Sequence, residues 1–445
     1  MTMEIFTIGG YNEVGKNMTC IKVDSEAVIL DMGLHMENYI NCKGDEDIQK
    51  ITTAELLHAD AIPDDSCLKK WKEFVRLIVP THAHLDHVGA IPFMSNRYDA
   101  PIMCTPFTAE VIKTIVKDEG FKLKNPIKVL NPNSVYRLSK DTQLEFINVT
   151  HSTPQTVMAA LHTKEGTVLY ANDFKFDNYP TLGKKPNYKR LKELGKEGVK
   201  LLIVDGTRAT REGKTPSESV AKQMLRDVLI ATESKGKAVI VTTFSSHLAR
   251  VKSIIALGKK MNRKVVLLGR SLAKYSQAGE ALGIVNFSSD AEIVKYGNQV
   301  KKRLKQLSKE RRDKYLLIVT GHQGEPEAVL SRIARGEFQY ELGQDDHVVF
   351  SCSVIPNPTN QANREMLENQ LKKYGVRIFK DIHASGHAAK EDLRDLINMV
   401  QPEHIIPAHG DFRMLSALTD LALEMGYKLG QNVHIMQDGQ MMSLQ

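Results

Sequence analysis

Short apolar runs separated by turn residues open the chain: EIFTIGG, then NMTCIKV, then AVILDMG. This spacing predicts an antiparallel meander of strands. Another apolar run, Phe74 to Val79, predicts a buried strand. Pro80 and Thr81 break it, and Gly89 with Pro92 mark a turn leading into a short helix. The stretch 41–71 is polar, with an acidic cluster at Asp45, Glu46 and Asp47 and a short helix expected at Thr53 to His58. Strands are expected again around Ile127 to Leu130, Thr142 to Val149 and Thr167 to Ala171, so the chain up to about Lys200 reads as one layered α/β domain.

Beyond Lys200 the rhythm changes. VKLLIVD, KAVIVTT and KVVLLG are continuous apolar strands, separated by the amphipathic runs SESVAKQMLRDVLIAT and SHLARVKSIIALGKKM, with Ser217 as an expected N-cap. Apolar strands between such helices imply a parallel sheet covered on both faces. KYLLIVTG, HVVFSCS and VRIFKDI carry the pattern to about Asp381. The tail then offers a helix at Lys390 to Met399, a strand in HIIPAHG, a helix at Met414 to Met425 and a last strand near Asn432 to Gln437.

The chain of 445 residues, 42% hydrophobic and 25% charged, has ample material for a large core. No apolar run reaches the roughly 18 residues of a membrane-spanning helix, so no membrane partner is expected. Met1 to Gly10 lacks a signal-peptide pattern, which points to the cytoplasm. Five scattered cysteines fit neither a disulfide framework nor a thiolate zinc site. The net charge of +7 is modest, but Lys301, Lys302, Arg303, Lys305, Lys309, Arg311, Arg312 and Lys314 crowd one stretch against Glu310 and Asp313, and a second basic run spans Lys184 to Lys200. Such runs are usually solvated helix faces and do not by themselves indicate nucleic acid.

The candidate chemistry is concentrated in HAHLDH. His82, His84, Asp86 and His87 are imidazole and carboxylate donors of the kind that catalytic Zn²⁺ takes while keeping a position open for water. Four ligands hold one metal and begin a second, so further donors are required. His151 in NVTHSTPQT, Asp173 in NDFKFD and His409 in AHGDF all follow apolar strands. A carboxylate such as Asp173 can bridge two cations, and paired cations suit displacement at phosphorus. Asp31, ending the third strand, is placed to orient an imidazole by accepting its free N–H.

With these residues the chain resembles the metallo-β-lactamase hydrolases, which implies an α/β fold, an αββα sandwich with a dizinc site at its strand ends. The block from about Asp205 to Asp381 is similar to the inserted β-CASP α/β domain of the nucleic-acid-processing branch, marked by Asp205 in LLIVDGTR, His387 in HASGHAAKEDL and His409 in IIPAHG. FKFD, TPSE, TGHQGEP and VIPNPTN make the likeness closest to the ribonuclease J family in its compact, archaeal type. The implied division is 1–204, first part of the lactamase-type domain, 205–381, β-CASP, and 382–445, the lactamase-type remainder.

The resemblance implies two Zn²⁺ per chain, one held by His82, His84 and His151, the other by Asp86, His87 and His409, with Asp173 bridging. Asp205 and His387 become the catalytic pair, His387 supplying a proton to the leaving 3′ oxygen. Ser245, Ser246 and His247 in TTFSSHLAR open a helix, where an anion is favoured. With His383 and Ser385 they resemble the pocket for a terminal 5′ phosphate. The implied activity is 5′ to 3′ exonucleolytic hydrolysis of single-stranded RNA to 5′-mononucleotides, with endonuclease activity of cleavage-factor type as the alternative. Single-stranded DNA stays open, because no residue is assignable to a 2′ hydroxyl, and the resemblance allows a homodimer. Since ligands come from both sides of the insertion, it is expected to overhang the metals.

Overall fold

The structure, a computed structural model, describes residues 2–43, 51–355 and 357–445; Asp45, Glu46 and Asp47 lie outside the described residues. The chain forms two units. The first comprises Met1–Asn178, Gly183–Thr215 and Gly386–Gln445, the second Tyr179–Leu182 and Pro216–Ser385.

In chain order the first unit's strands are β1 (Met3–Gly9), β2 (Met18–Val23), β3 (Glu26–Leu30), β4 (Val75–Val79), β5 (Ile102–Cys104), β6 (Ile127–Val129), β7 (Val135–Arg137), β8 (Gln143–Asn148), β9 (Val157–Thr163), β10 (Gly166–Ala171) and β11 (Leu201–Asp205). The second unit supplies β12 (Val239–Thr242), β13 (Lys264–Leu268), β14 (Ala291–Val294), β15 (Tyr315–Val319), β16 (His347–Phe350) and β17 (Arg377–Phe379). The chain then returns to the first unit with β18 (His404–Ala408) and β19 (Gln440–Leu444).

The first unit is a sandwich of two sheets, ordered β19-β1-β2-β3-β4-β5-β6 and β18-β11-β10-β9-β8-β7. The period of two along each strand explains the layering. In β11, Leu201 and Ile203 join Ile5, Ile21, Val28 and Leu77 between the sheets, while Leu202 and Val204 pack with Leu191, Leu393 and Leu418 under the helices Tyr188–Glu197, Lys390–Val400 and Phe412–Glu424. A strand buried on both faces must be apolar along its length, as Leu201 to Val204 are before Asp205 closes it.

The second unit is a parallel sheet, ordered β14-β13-β15-β12-β16-β17. Val266, Leu317, Val348 and Phe350 on one of its faces pack against Val300, Leu304, Leu330 and Leu371. Ser217 caps its helix Glu218–Ile230 by accepting the Ser219 N–H.

Four sequence expectations shift. VKLLIVD, which by its rhythm opens the second block, is β11 of the first unit, parallel to β10 and β18; an apolar run sets burial but not the pairing partner. The units accordingly exchange after Thr215 and after Ser385, and not at the expected 205 and 381. The last strand is β19, antiparallel to β1, whereas in 432–437 only Val433 makes isolated bridges, to Ile405 and Leu429. The basic stretch, expected as one helix from Val300 to Lys314, is an α-helix only as far as Leu307, where its buried Val300, Leu304 and Leu307 stripe runs out.

Candidate metal centre

The candidate residues collect at the carboxyl ends of strands. Asp31 follows β3, Asp205 closes β11, Asp173 lies just past β10 and His409 just past β18. Since β10, β11 and β18 are adjacent and parallel, their ends bring Asp173, Asp205 and His409 together. Asp31, Asp173 and His409 adopt left-handed backbone, with φ of 61°, 55° and 54°. Each conformation costs on the order of 1 kcal/mol or more and persists where the surroundings enforce it, as at functional sites. After β4, His82 and His84 precede a single helical turn, Leu85–Val88, so Asp86 and His87 stand on that turn rather than on an open loop.

One donor set unites His82, His84, His151 and Asp173. His84 Nδ1 lies 3.1 Å from both His82 Nε2 and His151 Nε2. Asp173 Oδ2 lies 3.4 Å from His82 Nε2 and 3.5 Å from His151 Nε2. A tetrahedral ion about 2.05 Å from each donor has ligand edges of about 3.3 Å, and these four separations match such edges. Each ring's other nitrogen is engaged: His151 Nδ1 donates to the Gly386 carbonyl at 2.8 Å, His82 Nδ1 is 3.2 Å from Thr81 Oγ1, and His84 Nε2 is 3.2 Å from Ser152 Oγ. Burial and the neighbouring His82 imidazole push His84 down to about 3. Burial also lowers His82 and His151. Neutral imidazole is the form that binds metal.

The second set is Asp86, His87, Asp173 and His409. Asp173 Oδ1 lies 3.3 Å from His87 Nε2 and 3.4 Å from His409 Nε2; Asp86 Oδ2 is 3.7 Å from each of these nitrogens. Among the described residues Asp173 Oδ1 is buried without a hydrogen-bond partner, an arrangement that costs free energy unless a cation completes it. Asp173 thus turns one oxygen to each set. Burial alone would raise its carboxyl, but His87, His409 and His387 hold it well below the usual range. Asp31 Oδ2 takes the His87 Nδ1–H at 2.7 Å, while its Oδ1 accepts the Thr81 N–H at 2.7 Å. This fixes the His87 ring with Nε2 toward the donor set. The donor chemistry, all nitrogen and oxygen with no cysteine, fits divalent metal ions.

His387 Nδ1 lies 2.8 Å from Asp205 Oδ2, and its Nε2 is 4.0 Å from Asp173 Oδ2. Asp205 also accepts the Thr207 N–H at 2.8 Å and its hydroxyl. Burial opposes protonation of His387, but Asp205 and Asp173 outweigh it and hold the imidazole at about 9.

Within the second unit, the segments carrying the other candidates meet. The Phe244 and His383 rings are 6.3 Å apart, and Arg250 donates to the carbonyls of Ile382, at 3.3 Å, and Ala384, at 3.4 Å. Ser245 Oγ pairs with Ser271 Oγ at 2.9 Å; Ser246 and Ser385 are largely buried. His247 turns inward. Its Nδ1 accepts the Arg250 N–H at 3.4 Å, capping the helix Leu248–Lys260, and its Nε2 lies 3.3 Å from Glu218 Oε2.

Sequence reasoning passes over several supporting residues. A Cβ on Gly33 would fall 1.7 Å from the Asp86 carbonyl oxygen, and one on Gly386 would fall 2.7 Å from His151 Cε1. Asn17 Nδ2 donates to the Asp86 carbonyl at 3.1 Å. The available signals are the glycine in ILDMG, the glycine in HASGH and the turn-rich GGYNEVGKN, none of which names its partner.

Comparisons with known proteins agree with this geometry. Residues 74–241 match the metallo-beta-lactamase superfamily, 236–371 the ribonuclease J beta-CASP domain, and 374–436 a Zn-dependent metallo-hydrolase RNA specificity domain. The chain is 47% identical over 446 residues to Ribonuclease J of Methanocaldococcus jannaschii, covering 100% of this chain and 99% of that one. It is 45% identical over 444 residues to Ribonuclease J of Pyrococcus abyssi, covering 99% and 97%. A solved structure of a protein of unknown function from Enterococcus faecalis V583 superposes with a TM-score of 0.66 at 15% identity over 100% of both chains, a likeness of fold.

Proposed function

The chain belongs to the ribonuclease J family of metallo-β-lactamase hydrolases with a β-CASP domain, and on that premise we propose that it is a two-zinc ribonuclease degrading single-stranded RNA from the 5′ end into 5′-mononucleotides, in cytoplasmic RNA decay or maturation. The observation that carries the two-metal reading is Asp173, whose Oδ2 faces His82 and His151 while its Oδ1 faces His87 and His409. One zinc would be held by His82, His84 and His151, the other by Asp86, His87 and His409, with Asp173 shared. When bound, such ions lower the pKa of water toward neutrality and offset charge on phosphoryl oxygens.

The chain's own residues carry the remaining work. Breaking the bond between phosphorus and the 3′ oxygen requires a proton at that oxygen. His387 carries that proton at Nε2, because Asp205 holds Nδ1 and favours the imidazolium. Thr207 fixes Asp205 in turn. Asp31 and the Gly386 carbonyl aim the His87 and His151 rings, so the donors need little rearrangement.

The 5′ direction rests on Ser245, Ser246, His383 and Ser385, on segments joined within the second unit by Arg250. Hydroxyls and an imidazole beside a helix start suit a terminal phosphate. In this reading His247 orders the helix start rather than contacting the phosphate itself.

The test compares 5′-monophosphate, 5′-triphosphate and 5′-hydroxyl forms of one end-labelled RNA. The reading expects rapid loss of mononucleotides from the monophosphate form and slow reaction of the other two. Equal rates with internal fragments would make the protein an endonuclease.

A further inference from the structure

Arg208 stands out among the arginines of the described residues. Every other buried or half-buried arginine has a carboxylate or carbonyl partner: Arg97 meets Asp65, Arg190 meets Glu145, Arg250 meets Glu218, Arg312 meets Asp346, and Arg263 is surrounded by carbonyls. Among the described residues the half-buried Arg208 has neither a carboxylate in ion-pair range nor a hydrogen bond from its guanidinium, and its Nε is enclosed without a partner. Enclosing a guanidinium this way is unfavourable unless something accepts from it.

Its neighbour makes the arrangement less favourable still. Arg211 donates its backbone N–H to the Arg208 carbonyl at 2.9 Å, closing a bend that keeps two like charges together. Among the described residues the Arg211 side chain also lacks a carboxylate partner. Burial and the Arg211 charge both push Arg208 down, with Asp205 opposing them. Two guanidiniums without counter-ions form a site for a shared anion.

The position of this bend indicates which anion. Thr207, one residue before Arg208, donates its N–H to Asp205 at 2.8 Å, and its Oγ1 lies 3.0 Å from His387 Nδ1. The Ala209 N–H closes a turn on the Gly206 carbonyl at 3.0 Å. Arg208 is therefore held beside the Asp205 and His387 pair by its neighbours Thr207 and Ala209. Resting on the ribonuclease reading above, we propose that Arg208, with Arg211 beside it, contacts a phosphodiester flanking the scissile one and so positions the RNA strand against His387.

The test measures binding of a 5′-monophosphorylated oligoribonucleotide at several salt concentrations, in the full chain carrying His387→Ala so that the strand is not consumed. Adding Arg208→Ala should weaken binding at low salt roughly tenfold and reduce the log–log salt slope by about 0.7, the contribution of one neutralised phosphate on a single strand. Arg208→Lys, which keeps the charge but not the bidentate geometry, should retain the slope. An unchanged slope in Arg208→Ala would overturn the proposal. Should that variant fail to fold, Arg208→Gln carries the same comparison. A parent protein that binds no RNA would instead overturn the ribonuclease reading on which the proposal rests.

Discussion

His151 donates its Nδ1–H to the Gly386 carbonyl at 2.8 Å, and a Cβ on that glycine would come within 2.7 Å of the same ring's Cε1. Close approach and hydrogen bond together leave His151 Nε2 no other direction than toward His84 and Asp173. Gly386→Ala should displace the ring, since the added methyl group would occupy the space that the ring now fills. A shift of about 1 Å at a reacting centre costs on the order of a hundredfold in rate. Zinc content and kcat should fall together; a fully active alanine variant would show that the ring is not confined in this way.

Asp31 and His387 each hold a partner at the centre, a His ring for the first and a carboxylate for the second, and substitution separates their tasks. Asp31→Asn should weaken metal binding by roughly 10- to 100-fold, because His87 loses its acceptor. His387→Ala should keep both metals and lower the rate by roughly 10²- to 10⁴-fold. Metal analysis beside single-turnover cleavage distinguishes them, and zinc loss from the His387 variant would contradict its assignment as proton donor.

How far the sequence reveals this centre depends on whether a residue's task is local. HAHLDH declares itself because four donors lie within six positions, and the candidates at strand ends are legible because apolar runs announce where strands stop. Gly33 and Gly386 are not legible: each is required by a partner far along the chain, Asp86 and His151. The same limit explains β11, whose apolar residues announce burial on two faces but are silent on pairing with β10 and β18. It also explains His247, whose pairing with Glu218 and with the Arg250 N–H is not announced by the residues around it.

Buried charge in the second unit makes its stability sensitive to acid. Arg250 is fully buried, donating from Nε and Nη2 to Glu218 at 2.6 and 2.8 Å. Burial alone would raise the Glu218 carboxyl, but His247 and Arg250 outweigh it and hold it well below the ordinary 4.5. A carboxylate depressed on folding contributes stability above its unfolded pKa and loses that contribution as pH falls toward its folded value. Denaturant midpoints should therefore drop between roughly pH 5 and pH 3. Glu218→Gln should flatten that dependence while costing about 3–5 kcal/mol at neutral pH by leaving Arg250 unpaired. An equally steep acid dependence in the variant would point to other groups.

The basic stretch divides into structural and solvent-facing charges. Arg303 is tied to Glu292, Arg311 to Asp313 and Arg312 to Asp346, whereas Lys301, Lys302 and Lys305 are exposed on the helix Gly297–Leu307. If that face follows an RNA backbone, replacing the three lysines with glutamine should lower the salt slope of binding by about 0.7 for each phosphate no longer neutralised, without changing sequence preference. An unchanged slope would leave the helix a solvated surface.

The most direct measurement is zinc bound per chain, in the wild type and in Asp173→Asn. Asparagine tolerates the left-handed backbone at this position, so the variant changes the donor and not the fold. Two ions per wild-type chain, with occupancy lowered at both positions in the variant, is the outcome expected of a carboxylate that faces both donor sets. A single ion in the wild type, or loss confined to one position in Asp173→Asn, would contradict a bridged two-metal centre.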